Sequence, residues 1–259
     1  MAAREHGRRP RLADGQHFLR SPRVAAEIVA AAGVRPGELV LEPGAGFGRL
    51  TAPLVAAGAR VLAVELDPGL AAGLARRFAR AGVEVVPDDV LAVALPGEPY
   101  RVLGNLPFGS TTAILRRLLG DLAAPPERVD VVVQAGLAAK RCAPRPTTLL
   151  SATWGPWWEL TATRTLPASC FDPPPAVDAA ILSVRRRSPP LLDLERAEGY
   201  RSVVARGFAA GNRPLRRCGL LSPLRWKRFA RERGLGAAAC ARELDLWDWL
   251  ALAAELPGG

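Results

Sequence analysis

The segment Gly104-Asn-Leu-Pro-Phe108 carries residue types that could act on the exocyclic amine of an aromatic base. Such an amine is a poor nucleophile, because its lone pair is delocalised into the ring. The side-chain carbonyl of Asn105 and the backbone carbonyl of Leu106, which Pro107 holds rigidly, could each accept one amine hydrogen. Phe108 could stack on the base once it is splayed out of its strand. The alternative is an ordinary Asn-x-Pro turn, so the interpretation depends on neighbouring motifs.

A glycine-rich segment, Glu42-Pro-Gly-Ala-Gly-Phe-Gly48, falls between a predicted strand and a predicted helix. Glycine at Gly44 and Gly46 would let the backbone turn sharply and approach a ligand closely. The spacing is GxGxG and differs from the GxGxxG of a dinucleotide-binding loop. Alone, this loop indicates a ligand site of unspecified chemistry.

Three carboxylates recur at the ends of successive predicted strands, namely Glu42, Glu65 and Asp89. They should meet at the carboxyl edge of the sheet, where they would repel a pyrophosphate and attract a ligand carrying a sulfonium and an ammonium group. Glu65 follows Gly44 by 21 residues, the separation expected of an acid that holds both ribose hydroxyls. Asp89 would then accept from an adenine amine. Helix caps or solvated strand ends are the alternative for each, but the ordered recurrence predicts an S-adenosylmethionine site.

The elements that must position these residues alternate between strand and helix from about residue 22 to about residue 184. Such alternation predicts an α/β fold with a parallel sheet covered on both faces. Two further strands, Trp157–Leu166 and Ala179–Arg185, have no long helix between them and predict an antiparallel hairpin at the sheet edge. The predicted strands before them are 38–42, 60–64, 83–86, 100–103 and 129–133, and the predicted helices are 22–32, 54–58, 68–81 and 111–119.

The composition changes near residue 186, and the remainder of the chain is predicted to be helical and is rich in arginine and tryptophan. We therefore predict a basic tail at 1–11, a catalytic domain at 12–185 and a helical RNA-binding domain at 186–259. Trp154, Trp157, Trp158 and Trp226 are predicted to pack in the core, with stacking on bases as the alternative.

The net charge of +10 is unevenly distributed. Residues 1–23 hold six basic and two acidic side chains, residues 24–184 hold fourteen and fifteen, and residues 185–259 hold fifteen and eight. Basic ends around a nearly neutral centre indicate a polyanionic partner, although an arginine-rich solvated surface would look the same. The candidate contacts are Arg4, Arg8, Arg9 and Arg11 near the start, and Arg206, Arg213, Arg216, Arg217, Arg225, Lys227 and Arg228 near the end.

Several classes of protein are disfavoured by the composition. No apolar run is long enough to span a membrane, and the first fifteen residues lack a signal-peptide core, so we expect a cytoplasmic protein. The four cysteines are far apart and only two histidines are present, which predicts reduced thiols and no metal site. We expect a monomer.

The chain resembles the rRNA adenine N6-methyltransferases in six ordered segments. Within that group, Gly104–Thr112 and the cluster Trp154–Trp158 look most like the Erm macrolide-resistance enzymes of actinomycetes. The resemblance implies a Rossmann-like class I methyltransferase sheet with a small C-terminal helical domain. The matching segments are Gln16-His-Phe-Leu19, Glu42-Pro-Gly-Ala-Gly46, Val64-Glu-Leu-Asp67, Asp88-Asp-Val90, Asn105-Leu-Pro-Phe108 and Phe171-Asp-Pro-Pro-Pro-Ala-Val177.

The resemblance also implies a substrate: one adenine in the peptidyl-transferase region of 23S rRNA, reached in naked RNA before the subunit is complete. Methylation there would block macrolides, lincosamides and type B streptogramins. Phe18 would lie near the target, and His17 stands where many relatives have Asn. The implied S-adenosylmethionine contacts are Gln16, His17, Leu19, Gly44, Gly46, Glu65, Leu66, Asp89, Val90 and Asn105.

Four other functions remain to be weighed. A 16S rRNA adenine dimethyltransferase of the KsgA type shares the same motifs, although the short C-terminal portion and the Asn-Leu-Pro-Phe variant favour the Erm interpretation. A non-catalytic RNA-binding or transcription-factor relative would be expected to have lost the glycine loop or Asn105. A nicotinamide dehydrogenase is disfavoured by the carboxylates around the loop. A glutamine methyltransferase would show Pro-Pro-Tyr in place of Leu-Pro-Phe.

Overall fold

The computed structural model describes residues 16–256, so the predicted basic tail, with Arg4, Arg8, Arg9 and Arg11, lies outside the described residues. The strands are β1 (Phe18–Leu19), β2 (Leu39–Pro43), β3 (Arg60–Val64), β4 (Glu84–Val86), β5 (Tyr100–Asn105), β6 (Arg128–Gln134), β7 (Trp158–Leu166), β8 (Phe171–Asp172) and β9 (Ala179–Arg186). The helices are α1 (Pro22–Ala32), α2 (Thr51–Ala56), α3 (Pro68–Phe78), α4 (Thr111–Gly120), α5 (Ala135–Arg141), α6 (Leu149–Trp154), α7 (Ala197–Ala209), α8 (Pro223–Glu232) and α9 (Leu246–Ala254).

The chain divides into two compact units. The first comprises the described residues up to Ile114 together with Pro167–Asp178, and the second comprises Leu115–Leu166 and the described residues from Ala179 onward. The segment after β9 contains only helical elements up to residue 256, as its composition predicted. The domain boundary proposed at residue 186 stays a prediction, since the compact units divide the chain elsewhere.

The first unit is built on four parallel strands in the order β4, β3, β2, β5. Their central residues, such as Val40, Leu41, Ala63 and Val102, are fully buried. Parallel strands buried on both faces have continuous apolar runs, which is why the sequence identified them. The predicted alternation of strands and helices is confirmed in this unit.

Local signals set the ends of the helices in the first unit. The hydroxyl of Ser21 accepts from the backbone N–H of Val24, Pro22 occupies the first turn of α1, and Gly33 ends the helix at φ 63°. α1 therefore has the predicted bounds. Asp67 caps α3 in the same way through the N–H of Leu70. α3 ends at Phe78, three residues before the predicted end.

A short antiparallel pair, β1 with β8, joins the beginning of the described chain to the segment around Phe171. Phe18 pairs with Asp172 and Leu19 with Phe171, and the N–H of Arg20 donates to the carbonyl of Cys170 over 2.8 Å. This pairing was not predicted from the sequence. It fixes the Gln16–Phe18 segment within the first unit.

In the second unit β9 lies between β6 and β7 and is antiparallel to both. The predicted antiparallel pairing of the two late strands is thus confirmed, whereas α5 and α6 were not predicted. The indole N–H groups of Trp157 and Trp158 donate to the carbonyls of Leu192 and Leu119. Trp154 and Trp226 are equally buried, so core packing is confirmed for these four tryptophans and base stacking is wrong. The exposed tryptophan is Trp247, at 57%.

Within residues 16–256 no helix is both long enough and apolar enough to cross a membrane. The same part of the chain holds no cluster of three or more His, Cys, Asp or Glu side chains that could bind a metal ion. The four cysteines are separate, half-buried thiols.

Candidate active site

A cavity in the first unit lies at the carboxyl ends of its parallel strands, where open α/β sheets bind ligands. Each strand contributes the residues at or just beyond its end. The lining residues are Gln16, His17, Phe18, Gly44, Val64, Glu65, Leu66, Asp88, Asp89, Val90, Leu91, Asn105, Leu106, Pro107, Ser110 and Ile114.

The glycine loop follows β2 and borders this cavity. Gly44 and Gly46 have φ values of 67° and 55°, which other residues adopt only at a cost. A Cβ at Gly46 would lie 2.6 Å from the ring of Phe18, so a larger residue would displace that ring from the cavity. The N–H of Gly44 donates to the carbonyl of Val64 over 2.8 Å, which joins the loop to the end of β3.

Glu65 ends β3 with its carboxylate held by two backbone donors. The N–H of Gly46 reaches Oε2 over 2.8 Å and the N–H of Asp67 reaches Oε1 over 2.9 Å. Each carboxylate oxygen can accept a further hydrogen bond. A buried, oriented carboxylate with spare acceptor capacity on both oxygens fits a ligand that carries two adjacent hydroxyls.

Glu42 does not act as predicted from the sequence. It is 2% exposed, accepts from the hydroxyl of Thr51 over 2.7 Å, and does not line the cavity. Burial, with a smaller contribution from the charge of Glu65, raises its pKa to about 8. Glu42 is therefore mostly neutral at pH 7, and the negative charge that could attract a cationic ligand comes from the carboxylates that line the cavity.

The turn after β4 contributes two adjacent carboxylates. Oδ1 of Asp88 accepts from the N–H of Asp89, and Oδ1 of Asp89 accepts from the N–H of Leu91 over 2.8 Å. These bonds fix both side chains at the rim of the cavity. Leu66, which is 64% exposed, adds an apolar surface to the same lining. An apolar surface beside carboxylate acceptors fits a heterocycle with an exocyclic amine.

Asn105 ends β5, and its amide has one orientation that satisfies hydrogen bonding. Its Nδ2 lies 2.6 Å from the backbone carbonyl of His17, which can only accept, so the nitrogen must face that carbonyl. Oδ1 is buried and has no hydrogen-bond partner among the described residues. An unpaired buried carbonyl is costly, so its natural complement is a donor on a ligand.

The segment Gln16–Phe18 lines the cavity and is held from two directions. Nδ1 of His17 donates to the carbonyl of Pro173 over 2.8 Å, because a carbonyl oxygen only accepts. The His17 ring lies 5.2 Å from that of Phe108. Phe18 packs edge-on against Phe47 of the glycine loop, with their centroids 4.8 Å apart.

Most of the residues expected to contact the cofactor or target come together in the lining, but three do not. Phe108 is half-buried beside His17, Leu19 is buried below the segment, and Gly46 lines another cavity. Five lining residues were missed from the sequence. Asp88 could have been included through its adjacency to Asp89, but the apolar and hydroxyl residues have no local signal of chemistry. The missed residues are Val64, Asp88, Leu91, Ser110 and Ile114.

The basic residues of the second unit fall into two groups. Arg206, Arg213, Arg216 and Arg217 are exposed and make no ion pair with any described residue, and three of them line a shallow cavity. Arg225 and Arg228 instead share Glu255, over 2.8 and 3.1 Å. The single carboxylate of Glu255 offsets part of their charge, so these two candidates are less available to a polyanion than the four arginines without an acidic partner.

The chain matches known proteins over almost its whole length. A family model described as Ribosomal RNA adenine dimethylase covers residues 7–254. The Mycinamicin-resistance protein MyrB of Micromonospora griseorubida is 36% identical over 245 residues, which span 92% of this chain and 76% of that protein. Ribosomal RNA small subunit methyltransferase A of Thermosynechococcus vestitus is 33% identical over 254 residues, spanning 93% and 95%.

Among solved structures, that of the 23S rRNA methyltransferase ErmE superposes with a TM-score of 0.80 at 32% identity, covering 92% of this chain and 99% of that one. The fold and the cavity define a Rossmann-like α/β enzyme of the class I, S-adenosylmethionine-dependent methyltransferases. The chain belongs to the ribosomal RNA adenine dimethylase family.

Proposed function

We propose that this enzyme methylates the N6 amine of one adenine in the peptidyl-transferase region of 23S rRNA and thereby confers resistance to macrolides, lincosamides and type B streptogramins. The similarity to MyrB, which is named as a mycinamicin-resistance protein, supports the role in drug resistance. The similarity to ErmE, which is named as a 23S rRNA methyltransferase, supports the choice of RNA. We further propose that it acts in the cytoplasm, as a monomer, on naked or partly assembled RNA.

The buried, unpaired Oδ1 of Asn105 is the observation on which the mechanism rests. Oδ1 accepts one hydrogen of the target amine and the backbone carbonyl of Leu106 accepts the other, which turns the nitrogen lone pair out of conjugation. The bond from Nδ2 to the His17 carbonyl keeps the amide from rotating during the reaction. Phe108 supports the splayed base from its position beside His17.

S-adenosylmethionine supplies an electrophilic methyl group when bound. Glu65 would accept from both ribose hydroxyls and Asp89 from the adenine amine, since both carboxylates are fixed by backbone donors and line the cavity. Gly44 would allow close approach of the methionyl portion. The remaining proposed contacts are Gln16, His17, Leu66 and Val90, which line the same cavity, and Leu19 and Gly46, which support it.

We assign RNA contact to Phe18 and to the four unpaired arginines of the second unit, Arg206, Arg213, Arg216 and Arg217. Arginines without a carboxylate partner retain their full charge for phosphates. Arg8, Arg9 and Arg11 remain candidates on sequence grounds alone.

A small-subunit rRNA methyltransferase is the second candidate. The similarity to the Thermosynechococcus vestitus protein, which this chain matches over 95% of that protein's length, supports it. Both candidates would use the same cavity and differ only in the RNA that they select.

The test is transfer of labelled methyl from S-adenosylmethionine to protein-free 23S and 16S rRNA in parallel, with the modified position mapped. We expect label on one peptidyl-transferase adenine of 23S rRNA. Asn105→Ala should reduce turnover by roughly 10²–10³-fold, with a smaller change in cofactor affinity. Label confined to 16S rRNA would support the second candidate, and near-normal turnover of Asn105→Ala would remove that residue from the mechanism.

A further inference from the structure

A second cavity in the first unit lies against helix α3 and the glycine loop, apart from the residues that line the cofactor cavity. We name it the α3 groove, and its volume is about 430 Å³. It is lined by Gly46, Phe47, Arg49, Gly69, Leu70, Gly73, Leu74 and Arg77.

The groove is open because two glycines occupy one face of α3. Gly69 and Gly73 are four residues apart and so lie on the same side of the helix. A Cβ at Gly73 would meet nothing within 4 Å, so packing does not require glycine there. Glycine in a helix is less favourable than alanine. Gly73 thus weakens the helix without relieving any clash, and what it provides is space.

Two arginines that have no acidic partner among the described residues line the groove. Arg49 is exposed and makes no hydrogen bond or ion pair with any described residue. Arg77 donates to the backbone carbonyl of Phe47 over 2.7 Å and also has no carboxylate partner in the described chain. Two carboxylates adjoin lining residues of the groove. Oδ1 of Asp67 lies near Gly69 and is engaged in capping α3, and Oε2 of Glu65 accepts from the N–H of Gly46 over 2.8 Å. Both carboxylates are held by backbone N–H donors, and neither forms an ion pair with Arg49 or Arg77.

An exposed aromatic ring connects the groove to the cofactor cavity. Phe47 lines the groove with 45% of its surface exposed. Its ring packs edge-on against Phe18, which lines the cofactor cavity. One aromatic contact thus joins a lining residue of the groove to a lining residue of the cofactor cavity. A base stacked on Phe47 would be a close neighbour of whatever Phe18 contacts.

We propose that the α3 groove binds a single-stranded RNA nucleotide that flanks the target adenine, with its base against Phe47 and its phosphate between Arg49 and Arg77. This inference rests on the proposed RNA methyltransferase function and adds a second RNA-contacting surface to it. An aromatic stacking platform beside unpaired basic side chains is the chemistry that recognises unpaired RNA. The sugar would lie in the space beside Gly73, where a Cβ would meet nothing within 4 Å.

The experiment compares the binding of protein-free RNA to the full-length chain and its variants, using a fragment that carries the target adenine with its unpaired flank. The variants are Arg49→Ala and Phe47→Leu. Arg76→Ala is the matched control, because Arg76 is exposed on the same helix but does not line the groove. Arg77 is left intact since it also holds the glycine loop. The dissociation constant is measured against potassium chloride concentration, and that of S-adenosylmethionine is measured separately.

We expect Arg49→Ala and Phe47→Leu each to weaken RNA binding by roughly tenfold. Arg49→Ala should also make the slope of log affinity against log salt shallower by about 0.7, the value for one phosphate contact on a single strand. Phe47→Leu should leave the slope unchanged, and S-adenosylmethionine affinity should change less than about twofold in both.

Wild-type binding by both variants would overturn the proposal, and so would an equal loss in Arg76→Ala, which would indicate a general effect of surface charge. Failure of the groove is distinguishable from failure of the proposed function. If the wild-type chain methylates 23S rRNA and both variants bind that RNA normally, the RNA-binding role of the groove is refuted and the proposed function is retained. If the wild type methylates 16S rRNA instead, the same comparison of variants on a 16S rRNA fragment tests whether the α3 groove binds RNA.

Discussion

Replacing Glu42 with glutamine should stabilise the protein increasingly as the pH rises. The carboxyl is 2% exposed, and burial raises its pKa to about 8, with the charge of Glu65 adding to the effect. Glutamine has nearly the same shape, carries no charge, and retains an oxygen to accept from Thr51, which donates to Glu42 over 2.7 Å. The substitution thus removes the titration and keeps the hydrogen bond.

The magnitude can be worked out from proton linkage. Between the ordinary pKa of 4.5 and the folded value of about 8, the folded chain holds a proton that the unfolded chain has released. Folding stability therefore falls as the pH rises through this window, by up to about 1.4 kcal/mol per pH unit, and the loss is complete above the folded pKa. From pH 6 to pH 8 the free energy of unfolding of Glu42→Gln, relative to that of the wild type, should increase by about 2–3 kcal/mol.

Urea denaturation of both proteins at pH 6, 7, 8 and 9 would measure this difference. Other groups titrate equally in the two chains and cancel. Glu98→Gln is a suitable control, because the side-chain hydrogen bond from Arg60 lowers the pKa of the exposed Glu98. The Glu98 carboxylate stays ionised over the whole pH range. The plot of free energy of unfolding against pH for Glu98→Gln should therefore run parallel to that of the wild type. A Glu42→Gln curve that also runs parallel would show that Glu42 is ionised when folded.

Two further predictions concern the ligand sites. Gly46→Ala should weaken S-adenosylmethionine binding in calorimetry by roughly tenfold, and cost about 1–2 kcal/mol of stability, because its φ is 55° and the new methyl group would meet the ring of Phe18. Unchanged affinity would show that this ring can move freely. The double variant Arg206→Ala, Arg213→Ala should make the slope of log RNA affinity against log salt shallower by about 0.7 for each phosphate contact that is lost. Arg225→Ala should leave this slope unchanged, because Arg225 is already paired with Glu255. Equal slopes in all three proteins would argue against the distinction between paired and unpaired arginines.

Much of the first unit could be predicted because its signals are local. Ser21, Pro22 and Gly33 are separated by at most twelve residues and set the ends of α1 by their own backbone and side-chain chemistry. The parallel strands were recognisable as short apolar runs, since both of their faces are buried. The cavity lining could be predicted in turn, because the ends of neighbouring parallel strands must meet at one edge.

Long-range features could not be predicted in this way. The pairing of β1 with β8 joins residues more than 150 positions apart, and neither two-residue strand has a pattern of its own. The neutral state of Glu42 depends on its burial, which the position of a carboxylate in a sequence does not give. The unpaired Oδ1 of Asn105 depends on where the backbone of His17 lies, 88 positions away.

The charge that a polyanion meets differs from the charge that a sequence segment carries. The C-terminal segment has the larger basic excess, yet Arg233 is paired with Asp248, as Arg225 is with Glu255. The central segment is nearly neutral by count, yet Glu65 is buried at the cofactor cavity and Glu42 is mostly protonated, while Arg49 has no partner among the described residues. Carboxylates that face inward do not offset arginines that face outward. A search for RNA contacts in this family of folds should therefore begin with cations that lack a local carboxylate, and in this chain that criterion selects a surface in the first unit as well as one in the second.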